Sequence, residues 1–180
     1  MKQPAVGSRR GIRHSIALAA LLLGACSGRG ALRGQEFSGP DLRYTLGPIP
    51  KHWRAVSLTG NDVAMRDGKH HATLAIDSTC DAHTDAPLIA LTRHLFIGLK
   101  KLVITAQNEV MLDGRAALVS AATGTLDGVA IALEVVVTVH GRCSFDFEYS
   151  TTARHAGEAH DAFTQMWRGF HLVRSPGEVR

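Results

Sequence analysis

The second half of the chain alternates between apolar and polar residues, and turn sequences interrupt the alternation. Asp113-Gly114 and Asp127-Gly128 are dipeptides typical of two-residue β-hairpin turns, and His140-Gly141-Arg142 indicates a third turn. From 145 to 149, aromatic residues alternate with acidic ones, which is typical of a strand with one buried face. Short turns join antiparallel neighbours. The pattern therefore predicts a meander of four antiparallel strands at 105–112, 115–125, 129–139 and 143–150.

Shorter apolar segments precede this meander. They predict strands at 41–46, 53–58, 63–66 and 72–77. A helix is then predicted, capped by Thr84 or Asp85, with Pro87 in its first turn and Lys100 and Lys101 in its last. Its apolar stripe consists of Leu88, Leu91, Leu95, Leu99 and Leu102.

A second helical stripe extends from 155 to 170. Strands, a helix, a meander and a final helix predict an α+β fold, an antiparallel β-sheet sandwiched by helices. We expect one globular domain over 41–174, followed by a loose tail at 175–180.

The N-terminus differs from the rest of the chain. Positively charged residues up to Arg13 are followed by an apolar run at 16–23 and then by small residues. This order is typical of a secretory signal peptide, here 1–25 and helical before its removal. The run is too short for a membrane span, which needs about 20 apolar residues.

The residues at the end of this run, Leu23-Gly24-Ala25-Cys26, resemble the lipobox of bacterial lipoproteins. The resemblance implies that the Cys26 thiol receives a diacylglycerol, that cleavage precedes it, and that acyl chains such as palmitate anchor the protein. Ser27 follows, and by analogy with enterobacterial lipoproteins it favours the outer membrane over the inner membrane. The alternative is an ordinary cleaved signal with a chance cysteine. Residues 26–40, rich in glycine and without an apolar period, are expected to be a flexible tether.

The net charge of the chain gives no indication of a charged partner. The 180-residue chain is 45% hydrophobic and 20% charged, with a formal charge of +4. The four basic residues of the signal segment account for this excess, so the remainder is neutral. We therefore expect no nucleic-acid partner.

The stretch from Tyr44 to Trp53 resembles the entry of PsbP-like proteins, an aromatic strand followed by proline and tryptophan. The sequences 112–116 and 163–170 fit the same layout. These proteins share their fold with the Mog proteins, an antiparallel sheet sandwiched by helices. The resemblance implies an accessory or assembly role at membrane complexes, and it supplies no catalytic residues.

The remaining two cysteines can be interpreted in two ways. In an oxidising compartment Cys80 and Cys143 are expected to form a disulfide. Alternatively, they join His83 and His140 in a four-ligand zinc site, because the pairs Cys80–His83 and His140–Cys143 have tight ligand spacings. We favour the disulfide and expect no metal or other cofactor.

Two further groups could carry chemistry. His70-His71 could be a metal-binding or pH-sensing pair, but an exposed hairpin tip is the preferred interpretation. Asp146 and Glu148 share one strand face and could do acid–base work, but we interpret that face as solvent-exposed. The common hydrolase, zinc-protease and nucleotide-binding motifs are absent from the sequence.

These observations favour a non-enzymatic, lipid-anchored protein of the cell envelope that faces the periplasm and has an accessory or protein-interaction role. Its partners would be the membrane, through the N-terminal lipid, and an envelope protein. A periplasmic lipoprotein that binds a small ligand or zinc is the alternative. An enzyme would need a deep pocket with convergent polar groups.

Overall fold

The computed structural model of the chain describes residues 30–80 and 85–175. These residues form eleven β-strands, two α-helices and one 3-10 turn at Ala153–His155. In chain order the strands and helices are β1 (Ala31–Arg33), β2 (Glu36–Ser38), β3 (Arg43–Thr45), β4 (Arg54–Ala55), β5 (Val63–Asp67), β6 (Ala72–Cys80), α1 (Leu88–His94), β7 (Lys100–Leu112), β8 (Arg115–Leu126), β9 (Val129–His140), β10 (Cys143–Thr152), α2 (His160–Arg168) and β11 (His171–Arg174).

The strands form two antiparallel sheets. The larger sheet has seven strands in the order β4-β5-β6-β10-β9-β8-β7, and the smaller has four in the order β1-β2-β3-β11. The predicted antiparallel, strand-rich fold with two helices is thus confirmed. The four-stranded sheet is an addition that the sequence pattern did not predict.

The Asp-Gly dipeptides form the expected hairpin turns. Asp113 and Gly114 have φ angles of 47° and 74°, and Asp127 and Gly128 have 48° and 84°. Two consecutive positive φ angles match the twist of the flanking strands, which is why this dipeptide is favoured in two-residue hairpins. Leu112 pairs with Arg115 across the first turn, so the predicted register of the meander is confirmed there.

The main core lies between the two sheets and beneath α2. Tyr44, fully buried on β3, stacks on Phe37 of β2 with ring centroids 4.8 Å apart. Its ring also meets the edges of Phe145 on β10 and Phe170 after α2. Aromatic pairs at these separations add to the stability from buried area alone. The small sheet is therefore part of the core.

A second apolar cluster lies on the opposite face of the large sheet. Helix α1 packs against β8 and β9. Beyond the helix, Phe96 is buried against Ala122, Leu133 and Val135. Strand β9 is consequently buried on both faces, which explains its nearly continuous apolar sequence.

The first helix is shorter than predicted. It ends at His94, and Gly98 adopts a φ of 95° in the turn that follows. Lys100 and Lys101, expected in the last helical turn, instead begin β7. The leucine period was misleading here because Val103 and Ile104 pair with β8 in a long hairpin.

The last helix is also shorter than the predicted 155–170. Helix α2 begins at His160, after a 3-10 turn and Gly157, and ends at Arg168. The chain then continues as β11, which pairs with β3. Strand β11 lies in a segment that the sequence pattern left without structure.

Residues 31–38 lie inside the stretch expected to be a flexible tether, yet they form the β1–β2 hairpin. Phe37 anchors the hairpin because its side chain is buried. The folded domain thus starts before residue 41. The predicted signal peptide, Cys26 and the end of the predicted tail at 176–180 lie outside the described residues. None of the helices in 30–80 and 85–175 combines the length and apolarity needed to cross a membrane.

Candidate functional site

Strand β7 is the outermost strand of the large sheet and is exposed along nearly all of its 13 residues. Several of its apolar side chains are exposed too, with Val103 56% and Met111 71% accessible, whereas Leu112 at its end is buried. The pairing with β8 is irregular up to Ala106 and regular from there to Leu112. Such an edge presents unpaired backbone groups to a possible partner strand, and proteins usually keep such edges short, charged or covered. The exposed β7 edge is therefore a candidate interaction surface.

A groove lies beside this edge, between strands β7–β9 and helix α2. Its cavity has a volume of about 250 Å³. Small residues form the floor, whereas Trp167 and Arg168 of α2 form part of the wall. The lining also includes Ala106, Asn108, Val119, Ala121, Glu134 and His160.

A histidine contacts a carboxylate within the lining of this groove. His160 Nε2 lies 2.8 Å from a carboxylate oxygen of Glu134, whose side chain is only 13% exposed. Glu134 stands on β9 opposite Tyr149 of β10, and His160 begins α2. The contact therefore joins the helix to the sheet inside the groove, whose lining also includes the polar residues Asn108 and Arg168. Sequence reasoning did not find this pair, because the two residues lie on separate elements.

Cys80 and Cys143 form a disulfide, as the preferred interpretation of the sequence expected. They lie directly opposite each other at the ends of β6 and β10. The bond closes a loop spanning 63 positions. In the chain-entropy view, a crosslink of this length stabilises the fold by about 4 kcal/mol.

The alternative zinc site is not formed by this arrangement. Both sulfur atoms are bonded to each other, so neither is a thiolate that could bind a metal. His140 is buried, with its ring against Phe145 and Phe170, and burial lowers its pKa. His83 lies outside the described residues.

A different cluster brings His70 together with Asp67 and His52. His70 Nδ1 lies 2.5 Å from Asp67 Oδ2, and His52 Nε2 lies 3.2 Å from the same oxygen. Three potential metal-ligand atoms thus lie within 4.8 Å of one another. His70 was expected at an exposed hairpin tip, but it is only partly exposed and contacts a buried carboxylate.

Asp67 is held in place at the end of β5. It is 1% exposed, and its Oδ1 accepts hydrogen bonds from the backbone N–H groups of Lys69 and His70. Burial by itself raises the pKa of Asp67. The hydrogen bonds from the His70 ring and the two backbone groups outweigh burial and hold the pKa below its usual value. Asp67 is therefore an ionised, fixed carboxylate.

His71 does not join this cluster. Its ring lies 5.2 Å from that of His155, and His155 Nδ1 lies 2.8 Å from a carboxylate oxygen of Glu158. The two histidines predicted as one pair thus have different surroundings, because adjacent residues diverge at the positive φ of His71. His70 therefore shares its surroundings with Asp67 and His52, whereas His71 contacts His155.

Asp146 and Glu148 share a strand face as predicted, but the expectation that they are solvent-exposed is wrong. Both are partly buried, and Asp77 of β6 lies directly opposite Asp146. Burial, followed by the charges of Asp77 and Glu148, raises the pKa of Asp146 to about 7. Burial and Asp77 likewise raise the pKa of Glu148. The carboxyl groups of Asp77, Asp146 and Glu148 therefore share one partly buried face of the large sheet.

Asp113 joins the end of the chain to the β7–β8 turn. Its carboxylate accepts the backbone N–H of Leu172 at 3.0 Å and lies 2.7 Å from His171 Nδ1. Burial raises the pKa of Asp113, but these contacts with His171 and Leu172 outweigh it, so the pKa is lowered. The contact has a structural role, since it holds β11 against the meander.

The fold is PsbP-like. The chain resembles the solution structure of cyanobacterial PsbP (CyanoP) from Synechocystis sp. PCC 6803, with a TM-score of 0.57 and 17% identity over 84% of this chain and 99% of that one. It also resembles LpqN, involved in cell envelope biogenesis of Mycobacterium tuberculosis, with a TM-score of 0.60 and 13% identity over 75% of this chain and 86% of that one. No family profile and no curated protein matches the sequence. At these identities the likeness establishes the fold alone.

Proposed function

We propose that this protein is a non-enzymatic, lipid-anchored accessory protein of the bacterial cell envelope, which binds an envelope protein through strand β7 and the neighbouring groove. The single observation that carries the proposal is the β7 edge. This edge is long and exposed, and several of its side chains are apolar. Its backbone is suited to pair with a strand of another protein, which is a recurring mode of protein recognition.

The groove supports the same interpretation. It adjoins β7, so a bound strand or loop could place a side chain between the sheet and α2. Glu134 and His160 would then supply polar contacts, while the alanines of the floor leave space. Backbone pairing would provide affinity, and the groove would provide specificity.

The envelope location rests on three lines of support. The Leu23-Gly24-Ala25-Cys26 sequence fits lipid attachment at Cys26. The PsbP-like fold is also that of a protein involved in cell envelope biogenesis. The Cys80–Cys143 disulfide fits an oxidising compartment such as the periplasm. Ser27 favours the outer membrane, and the neutral mature chain gives no basis for a nucleic-acid partner.

A photo-crosslinking experiment tests the interaction surface. A photoreactive amino acid would replace Ile104 or Met111 on β7 in cells that produce the full chain. Leu58, which is exposed and lies before β5, is the matched control position. We expect one discrete crosslinked envelope protein from both β7 positions and none from Leu58. The same products from all three positions, or none from β7, would refute the proposed surface.

Lipid attachment is tested separately by labelling cells with a palmitate analogue. We expect the wild-type chain to incorporate the label and to sediment with membranes. Cys26→Ser should abolish both, whereas Cys80→Ser should still be labelled. An unlabelled wild-type chain would overturn the anchor while leaving the β7 surface to be judged by crosslinking.

A small-ligand carrier is a weaker second candidate. The groove volume of about 250 Å³ falls below the range of roughly 300–1,000 Å³ typical of ligand pockets. The His52–Asp67–His70 cluster is the one observation that favours the metal-binding form of this candidate.

A further inference from the structure

We infer that His52, Asp67 and His70 form a binding site for a divalent transition metal of the zinc class. The site is independent of the β7 surface and of the Cys80–Cys143 disulfide. It follows from how the strands bring the three side chains together, from how the carboxylate is held, and from the chemistry of the three donors.

Strand pairing assembles the site. Arg54 of β4 pairs with Arg66 of β5, so the residues before β4 run alongside the end of β5 and the turn after it. His52 therefore comes next to Asp67 although 15 positions separate them. His70 reaches the same carboxylate from within the turn, and Thr151 of β10 donates a hydrogen bond to its backbone oxygen at 3.1 Å.

The carboxylate of Asp67 has one oxygen available for a metal. Its Oδ1 already accepts the backbone N–H groups of Lys69 and His70. Its Oδ2 faces both imidazoles, at 2.5 Å from His70 Nδ1 and 3.2 Å from His52 Nε2. Hydrogen bonds that fix a ligand carboxylate are a regular feature of metal sites, because they orient it and reduce the cost of ordering. Asp67 thus has the support expected of a metal ligand.

The donor set selects the class of metal. Two imidazole nitrogens and one carboxylate oxygen are ligands that zinc and its neighbours accept, whereas calcium and magnesium prefer oxygen alone. Three protein ligands leave a coordination position for water or for a group from another molecule. The His52 side chain is 55% exposed, so this open position lies towards solvent.

The alternative is that the three side chains form a hydrogen-bonded ion cluster that binds no metal. The two interpretations differ in an observable way. A metal site takes up one ion per chain and loses it when any ligand is removed. An ion cluster takes up none.

The test uses the untagged full chain, stripped with a chelator and titrated with Zn²⁺ in a calorimeter, with Co²⁺ absorption as a second readout. We expect one Zn²⁺ per chain and a visible Co²⁺ spectrum distinct from that of the aqueous ion. His52→Ala and His70→Ala should each weaken binding at least about 10-fold. His71→Asn is the matched control, because Asn tolerates the positive φ of His71 and His71 is not a ligand.

His52→Ala separates a loss of binding from misfolding. Because His52 is exposed, we expect the metal-free variant to unfold at the same temperature as the metal-free wild-type protein. No Zn²⁺ uptake by the wild-type chain would overturn the inference. Uptake that both alanine variants retain at wild-type affinity would also overturn it, because the ion would then bind elsewhere. Neither result would affect the crosslinking at β7.

Discussion

Asp77 and Asp146 lie directly opposite each other on the adjacent antiparallel strands β6 and β10. Glu148 lies on the same face, two residues further along β10. Like charges placed directly opposite on neighbouring strands are destabilising when both are ionised. One oxygen of Asp146 is moreover buried without a hydrogen-bond partner among the described residues. The fold therefore favours the protonated form of Asp146.

This relationship predicts a pH dependence of stability. Because the pKa of Asp146 is raised to about 7 in the folded state, the native protein binds more protons than the unfolded chain above about pH 4. The contribution of Asp146 to the free energy of unfolding is therefore fully present below its ordinary pKa. It declines as the pH rises towards the folded value. Asp146→Asn should remove this decline and raise the free energy of unfolding by about 1–2 kcal/mol near pH 8.

Urea unfolding at about pH 5 and about pH 8 measures the effect. Asp41→Asn, at an exposed position, is the control and should keep the wild-type pH dependence. If Asp146→Asn shows the same loss of stability between the two pH values as the wild-type protein, the carboxyl cluster is not its source.

The disulfide predicts a large dependence on redox conditions. The double variant Cys80→Ser, Cys143→Ser should lose about 4 kcal/mol of unfolding free energy, because its unfolded chain regains the freedom of a loop spanning 63 positions. Reducing the wild-type protein should lower its urea midpoint to about that of the double variant. The double variant should not respond to reductant, and an equal response in both proteins would exclude the disulfide as the cause.

Gly47 allows β3 to approach α2 closely. A Cβ atom at this position would lie 1.9 Å from the backbone oxygen of Gln165. Gly47 also donates its backbone N–H to the oxygen of Met166 at 2.8 Å. Gly47→Ala should therefore cost about 2 kcal/mol or more in unfolding free energy, since a backbone atom must shift.

Gly157→Ala is the matched control, because nothing lies within 4 Å of a Cβ built there. Thermal unfolding of both variants gives the comparison. Equal melting temperatures for Gly47→Ala and the wild-type protein would show that the two elements are not in close contact.

Asp113 predicts a local change at the C-terminal strand. Asp113→Asn keeps a residue suited to the hairpin turn, but it removes the charge that faces His171 and Leu172. We expect the variant to lose about 1 kcal/mol of unfolding free energy. Its hydrogen exchange should be faster than that of the wild-type protein in β11 but not in β10. Because the pKa of Asp113 is lowered, its contribution is present above its ordinary pKa and is lost as the pH falls through the folded value.

The equivalent substitution in the other Asp-Gly turn, Asp127→Asn, is the control and should leave exchange in β11 unchanged. Hydrogen exchange followed by mass spectrometry resolves the two strands. Unchanged exchange in β11 of Asp113→Asn would show that the carboxylate does not hold the strand.

The sequence predicted the parts of the fold that depend on local chemistry. Asp113-Gly114 and Asp127-Gly128 specify their turns almost alone, and these turns determine the meander. The β1–β2 hairpin could not be predicted in this way, because strands of three residues carry no period. Phe37 is buried only because Tyr44 and the large sheet are present, and that is a tertiary effect.

Prediction of the candidate site from the sequence was limited in the same way, by contacts between distant residues. A disulfide between Cys80 and Cys143 was the preferred interpretation of their number and expected compartment, with the zinc site as the alternative. His52 and Asp67 could not be paired, since their contact depends on the register of β4 against β5. Alternation correctly placed Asp146 and Glu148 on one face, but their burial depends on neighbouring strands that alternation does not identify.

If Cys26 is lipidated as proposed, the β1–β2 hairpin also limits how far the small sheet can move from the bilayer. Strand β1 starts only five residues after Cys26, and a fully extended chain of that length spans at most about 18 Å. If acyl chains hold Cys26 at the membrane surface, the small sheet must stay within that distance of the lipid headgroups. A partner that contacts the small sheet would then lie close to the same membrane.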